Sequence, residues 1–127
     1  MKLALLAALA LSLAARPVAA DISIVDNDKA IDVDCAKDKE VSLIGNHITL
    51  TTKGVCTKIS VTGNHETVTG SANVVYVAGN HNTVTIDAAD DVTIAGNNNT
   101  LTVRKGVSQK TPKVSNSGKD NKVTQPK

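Results

Sequence analysis

Between residues 40 and 103 apolar side chains alternate with polar ones in short runs. Val41 and Leu43, Ile59 and Val61, Val75 and Val77, and Val92 and Ile94 each form such a pair. Each pair runs into a Gly-Asn step and then into a second run centred on one apolar residue: Leu50, Val68, Val84 or Leu101. A period of two predicts β-strands with one face turned inward. The glycine and asparagine between them predict a corner.

The same pattern recurs along the chain. The clearest copies are Gly45-Asn46-His47-Ile48-Thr49-Leu50-Thr51, Gly63-Asn64-His65-Glu66-Thr67-Val68-Thr69, Gly79-Asn80-His81-Asn82-Thr83-Val84-Thr85 and Gly96-Asn97-Asn98-Asn99-Thr100-Leu101-Thr102. Their glycines are 18, 16 and 17 positions apart. Degenerate copies flank them, around Ile22, Ile24, Asp26 and Ile31 and around Val114, Asn116, Gly118 and Val123. Superposed, the copies give three apolar columns. The first is Ile22, Val41, Ile59, Val75, Val92, Val114; the second is Ile24, Leu43, Val61, Val77, Ile94; the third is Ile31, Leu50, Val68, Val84, Leu101, Val123. One such unit cannot bury its own apolar face, but stacked units can. The expected fold is all-β, a parallel β-helix of about six coils with roughly 16–22 residues per coil. An antiparallel meander or sandwich is the competing arrangement, but it does not require like residues at constant spacing.

In this reading Gly45, Gly63, Gly79 and Gly96 end inward-facing strands and take backbone angles that a β-carbon resists. Asn46, Asn64, Asn80 and Asn97 follow as a structural ladder, each amide hydrogen-bonding along the stack. Cys35 and Cys56 fall in connecting turns on adjacent coils. That separation suits a disulfide stapling the N-terminal coils.

Composition sharpens the picture. The chain has 127 residues, one Tyr, no Phe and no Trp. Its core must therefore be narrow and filled by Val, Ile and Leu, and a sugar-binding face of stacked rings is excluded. Residues 1–20 read as a secretory signal peptide. Lys2 gives the positive start, a Leu/Ala run follows, and Val18-Ala19-Ala20 supplies small residues for cleavage before Asp21. The run is too short for a permanent membrane anchor, and no later segment is apolar enough to cross. The expected location is periplasmic or extracellular, where a cysteine pair oxidises. A β-helix domain is expected over residues 21–124, with 104–117 as a loosely packed connection to the last coil and 125–127 as a mobile tail. Residues 101–127 carry seven basic residues and one acid, while residues 21–100 carry five Lys and eleven acids. That split gives a weakly basic end and not a nucleic-acid-binding surface.

The G-N-x-N-T-V-T pattern, the paired cysteines, the signal peptide and the closing Val114-Ser115-Asn116-Ser117-Gly118-Lys119-Asp120-Asn121-Lys122-Val123-Thr124 together resemble a bacterial exported family known as domain of unknown function 3060. The resemblance covers nearly all of the chain after the signal. It implies a small exported β-helical module and brings no catalytic residues with it.

Two side-chain arrays are candidates for chemistry. His47, His65 and His81 share one column, with Asn98 in the fourth place. Stacked imidazoles could hold Zn²⁺ or Cu²⁺, and Glu66 beside His65 could add an oxygen. Against this, parallel rings point their nitrogens the same way, and no cofactor is required by the sequence. The second array is Thr49 and Thr51, Thr67 and Thr69, Thr83 and Thr85, and Thr100 and Thr102. With the apolar residue between them inward, both threonines of each pair point outward. They would form a grid of about 6.7 Å by 4.8 Å, similar to the threonine arrays of ice-binding solenoids. An enzyme of the polysaccharide-cleaving kind is the weakest reading. Asp87, Asp90 and Asp91 sit in one turn as solvated loop residues, and no nucleophile–base pair is evident. The expected function is that of an exported, non-catalytic structural or binding module, with an unknown protein or envelope polymer as partner.

Overall fold

The computed structural model describes residues 21–36 and 39–126. The expected signal peptide, residues 37–38 and the last residue of the expected tail lie outside them. The described residues form ten strands: β1 (Ile22–Asn27), β2 (Ala30–Asp34), β3 (Glu40–Asn46), β4 (Thr49–Asn64), β5 (Thr67–Ala78), β6 (Thr83–Ala88), β7 (Asp91–Ala95), β8 (Thr100–Lys105), β9 (Lys113–Ser117) and β10 (Lys122–Thr124). Every pairing is parallel. The chain is a β-solenoid, and the meander is ruled out.

The register matches the repeat residue by residue. On one side of the coil Ile22 pairs with Val41, Val41 with Ile59, Ile59 with Val75, Val75 with Val92 and Val92 with Val114. On another side Ile31, Leu50, Val68, Val84, Leu101 and Val123 pair in the same order. Val41, Leu43, Leu50, Ile59, Val61, Val68, Val75, Val77, Val84, Val92, Ile94 and Leu101 are fully buried. Such continuous burial is the main stabilising term, because each coil covers the apolar edge of the one before it. The end coils are only half covered: Ile22, Ile24, Ile31, Val114 and Val123 pack against the core but stay partly open. Where the second column would end, Asn116 pairs with Ile94, and its side-chain oxygen accepts from Asn121 at 2.8 Å. A polar residue thus closes the column where apolar surface would meet water.

A further inward column is made by Val33, Thr52, Ile86 and Val103, with Gly70 between Thr52 and Ile86. It lies two residues beyond the third apolar column and arises because β4 and β5 carry on past the threonine segment. Beyond it Cys35, Cys56, Ala72 and Ala89 are all buried. Cys35 and Cys56 form the expected disulfide with Cα atoms 5.0 Å apart. Cys56 sits within β4, so this half of the bridge belongs to a strand and not to a turn.

No described helix is long and apolar enough to cross a membrane.

Candidate functional site

The corner that follows each Gly-Asn step sets the direction of every side chain near it. A β-carbon on Gly63 would lie 1.8 Å from the carbonyl oxygen of Gly45, and one on Gly79 would lie 1.8 Å from that of Gly63. The glycines are therefore needed first for close approach between coils. Asp26 takes the glycine place in the first described coil, and its own carbonyl oxygen is the atom that Gly45 approaches. The left-handed residue is the one two positions after the glycine: Asp28, His47, His65, His81, Asn98 and Asp120 have φ between 54° and 59°. Asn is among the residues that tolerate this region best. The backbone N–H groups of His47, His65 and His81 each donate to the carbonyl of the next coil's ladder asparagine, at 3.1 Å.

The outer asparagine ladder is present as expected. Asn80 donates through its backbone and side chain to Asn64 Oδ1, at 3.0 and 3.1 Å, and Asn97 does the same to Asn80. Asn64 donates to Asn46, and Asn46 donates to Asn27. Lys119 ends the ladder by donating its backbone N–H to Asn97.

The three imidazoles stack on the outside of this corner. The ring centroids of His47 and His65 are 4.9 Å apart with 8° between planes; those of His65 and His81 are 5.0 Å apart with 4° between planes. Rings this nearly parallel aim their nitrogen lone pairs alongside one another, so two of them do not converge on one ion without turning. Asp28 comes within 3.7 Å of His47 Nδ1 at the top of the stack. Among the described residues no group of three or more His, Cys, Asp or Glu is placed to hold a metal ion.

Glu66 is not available to the histidine column. Its side chain is buried, and its Oε2 accepts the backbone N–H of Ile48 at 2.8 Å. It belongs to a second, inner ladder that the sequence reading did not separate from the first. Glu66 N–H donates to Asn82 Oδ1, Asn82 N–H to Asn99 Oδ1 and Asn99 N–H to Asn121 Oδ1, at 2.8–2.9 Å. The amide nitrogens of Asn82, Asn99 and Asn121 donate to the carbonyls of Gly63, Gly79 and Gly96. Glu66 has no such N–H₂ group, and its Oε1 has no hydrogen-bond partner. Burial pushes its carboxyl above the ordinary range, against the pull of the Ile48 N–H and of nearby His47. The sequence signal for this ladder was the second asparagine of Asn80-His81-Asn82 and of Asn97-Asn98-Asn99.

The threonine array is assembled in register. Thr49, Thr67, Thr83 and Thr100 form one column, and Thr51, Thr69, Thr85 and Thr102 form the second. All eight alternate with buried residues and face outward, exposed or half-exposed. Ala30 and Asp32 precede these columns, and Lys122 and Thr124 follow them.

The acids of the expected solvated turn have separate roles. Asp87 pairs with Arg104 on the surface. Asp90 is buried and holds the connection to the last coil. Its Oδ1 accepts the backbone N–H groups of Val107, Ser108 and Gln109 at 2.8–3.0 Å, and its Oδ2 accepts the Ser108 hydroxyl at 2.6 Å. These donors, the Ser108 hydroxyl first among them, bring the Asp90 carboxyl down to about 2. Asp90 is thus an anchor and not a solvated loop residue. It ties three consecutive amides of the otherwise exposed connection to one carboxylate.

A family model described as "Protein of unknown function (DUF3060)" matches residues 64–120. Over that stretch the chain is similar to this family, and the β-solenoid fits the resemblance read from the repeat. The match begins at the ladder residue Asn64 and ends at the left-handed Asp120. It therefore starts in the third coil, while the disulfide and the first two coils lie ahead of it. Neither the curated proteins nor the solved structures contain a match to the chain.

Proposed function

We propose that this protein is an exported, non-catalytic structural or binding module that engages an extended envelope polymer or protein through its threonine face. The reading rests on one observation. Eight threonines from four successive coils stand outward in two registered columns, on a backbone closed by hydrogen bonds and a disulfide. The repeat spacing is about 4.8 Å between coils and about 6.7 Å along each strand. A rigid grid of hydroxyls and methyls costs little ordering entropy on binding and suits a partner with its own repeat. The disulfide supports an oxidising compartment, in keeping with export.

The test uses purified peptidoglycan sacculi as the probe. Co-sedimentation of the protein with sacculi is expected to fall at least about tenfold for Thr67→Tyr with Thr83→Tyr, since two rings would stand above the grid. Retention unchanged by these substitutions, or no retention at all, overturns the polymer reading. Inhibition of ice recrystallisation by the parent protein, lost in the same variant, would instead assign the grid to ice.

A further inference from the structure

A second outer face carries an observation of its own. The strands that bury the first two apolar columns turn the intervening residues outward. Those form two registered columns: Ser23, Ser42, Ser60, Tyr76, Thr93, Ser115, and Val25, Ile44, Thr62, Ala78, Ala95, Ser117. None of the twelve is charged. Six large apolar or aromatic side chains are exposed among the described residues; Val25, Ile44 and Tyr76 lie on this face and Val74 on its border. Val25 is 72% exposed and Ile44, its neighbour one coil on, is 47% exposed. A run of uncharged surface with its bulky residues gathered on one side of the coil is the mark of an interface and not of a solvated face.

The charge along the solenoid axis selects the occupant. The first coil, residues 21–39, carries Asp21, Asp26, Asp28, Asp32, Asp34 and Asp38 against Lys29, Lys37 and Lys39. The far end carries Arg104, Lys105, Lys110, Lys113, Lys119 and Lys122 against Asp120. We propose that this face binds a second copy of the chain, related by a two-fold axis parallel to the strands, so that the two solenoids run in opposite directions. The acidic end of each copy then lies over the basic end of the other. The alternative two-fold, along the solenoid axis, sets acid on acid and base on base.

Shape agrees with the inverted arrangement. That axis keeps each column facing itself with its coil order reversed. Val25 meets Ser117, Ile44 meets Ala95, Tyr76 meets Ser60 and Thr62 meets Ala78, so every bulky side chain faces a small one. The charged column that borders the face is Asp21, Glu40, Lys58, Val74, Asp91 and Lys113, and its reversal sets Asp21 against Lys113 and Lys58 against Val74. Its one opposed pair, Glu40 with Asp91, falls on the wetted rim, where like charges are screened. Six coils at strand spacing with these flanks cover roughly 500 Å² per copy, about 1,000 Å² in all, the lower bound for a specific interface. An interface at this lower bound makes the dimer weak and reversible.

Sedimentation equilibrium of the oxidised chain up to millimolar concentration tests this. A monomer–dimer equilibrium is expected, weakened by added salt because the end charges contribute. Ile44→Lys and, separately, Val25→Lys should each raise the dissociation constant at least about tenfold, with circular dichroism and melting unchanged because both side chains point outward. Val25→Lys combined with Ser117→Glu should restore dimerisation, since residues 25 and 117 meet only between inverted copies. A monomer at every concentration, or a dimer indifferent to Ile44→Lys, overturns the interface. Failure of the charge pair to rescue overturns the inverted arrangement.

Discussion

The carboxylate of Glu66 accepts the backbone N–H of Ile48 at 2.8 Å, the same contact that the amide oxygens of Asn82, Asn99 and Asn121 make with the coil preceding each of them. Glu66 is thus an acid in an amide's place. The amides also donate to a glycine carbonyl, and an ionised carboxylate cannot. Glu66→Gln restores a donor and removes a buried charge, and is expected to stabilise the protein at neutral pH by about 1 kcal/mol. Thermal melts at pH 7 check it. The sign of the pH dependence follows from the raised Glu66 carboxyl. The folded state holds its proton more tightly, so this group's contribution falls as pH rises through the folded value and is greatest below the ordinary carboxylate range. The Gln variant should lack that component, and its melting temperature should be flatter between neutrality and mild acid.

Asp90 has the opposite sign. Its carboxyl lies at about 2 in the fold against an ordinary 3.8, so its contribution is complete above about pH 4 and is lost as pH falls through 2. Asp90→Ala should speed amide exchange at Val107, Ser108 and Gln109 by about tenfold or more at pH 7, leaving Leu50 and Val68 protected. Hydrogen exchange read by NMR checks it. Equal acceleration throughout the core would show that Asp90 supports the whole solenoid and not this connection.

The Cys35–Cys56 bridge ties the end of the first coil to the end of the second. Cys35→Ala with Cys56→Ala should cost about 3 kcal/mol, from the loop closed in the unfolded chain. Denaturant unfolding measures the loss. Protection of β1 to β3 should fall more than that of β6 to β8, because the end coil is covered on one side only.

Gly79 and Gly54 separate two reasons for glycine. A β-carbon at Gly79 would stand 1.8 Å from the Gly63 carbonyl oxygen, with φ at +133°. At Gly54 φ is +73° and the nearest atoms are 3.7 Å away. Gly54→Ala should cost only about 1–2 kcal/mol, the left-handed penalty. Gly79→Ala must separate two coils or twist the corner, and is expected to cost about 4 kcal/mol or more. Urea midpoints of the two variants decide it.

The apolar columns could be read before any coordinate because a solenoid repeats its environment. Val41, Ile59, Val75 and Val92 answer the same packing demand one coil apart, so their likeness shows in the chain at constant spacing. The threonine columns, the asparagine ladder and the stacked histidines follow from the same rule. Glu66 did not, because its direction depends on one backbone angle. Alternation alone carries Asn64 and Glu66 to the same face, but the left-handed His65 between them breaks the alternation and turns Glu66 inward. Asp90 escaped for a related reason: its partners Val107, Ser108 and Gln109 lie outside the repeat, and nothing in their spacing points back to it. The uncharged outer face depended on stacking as well. Val25, Ile44 and Tyr76 are scattered along the chain, and only the parallel register sets them on one surface. Periodicity is local in sequence and therefore legible there. The meeting of unlike residues is a property of the closed coil, where backbone torsion and stacking choose the neighbours.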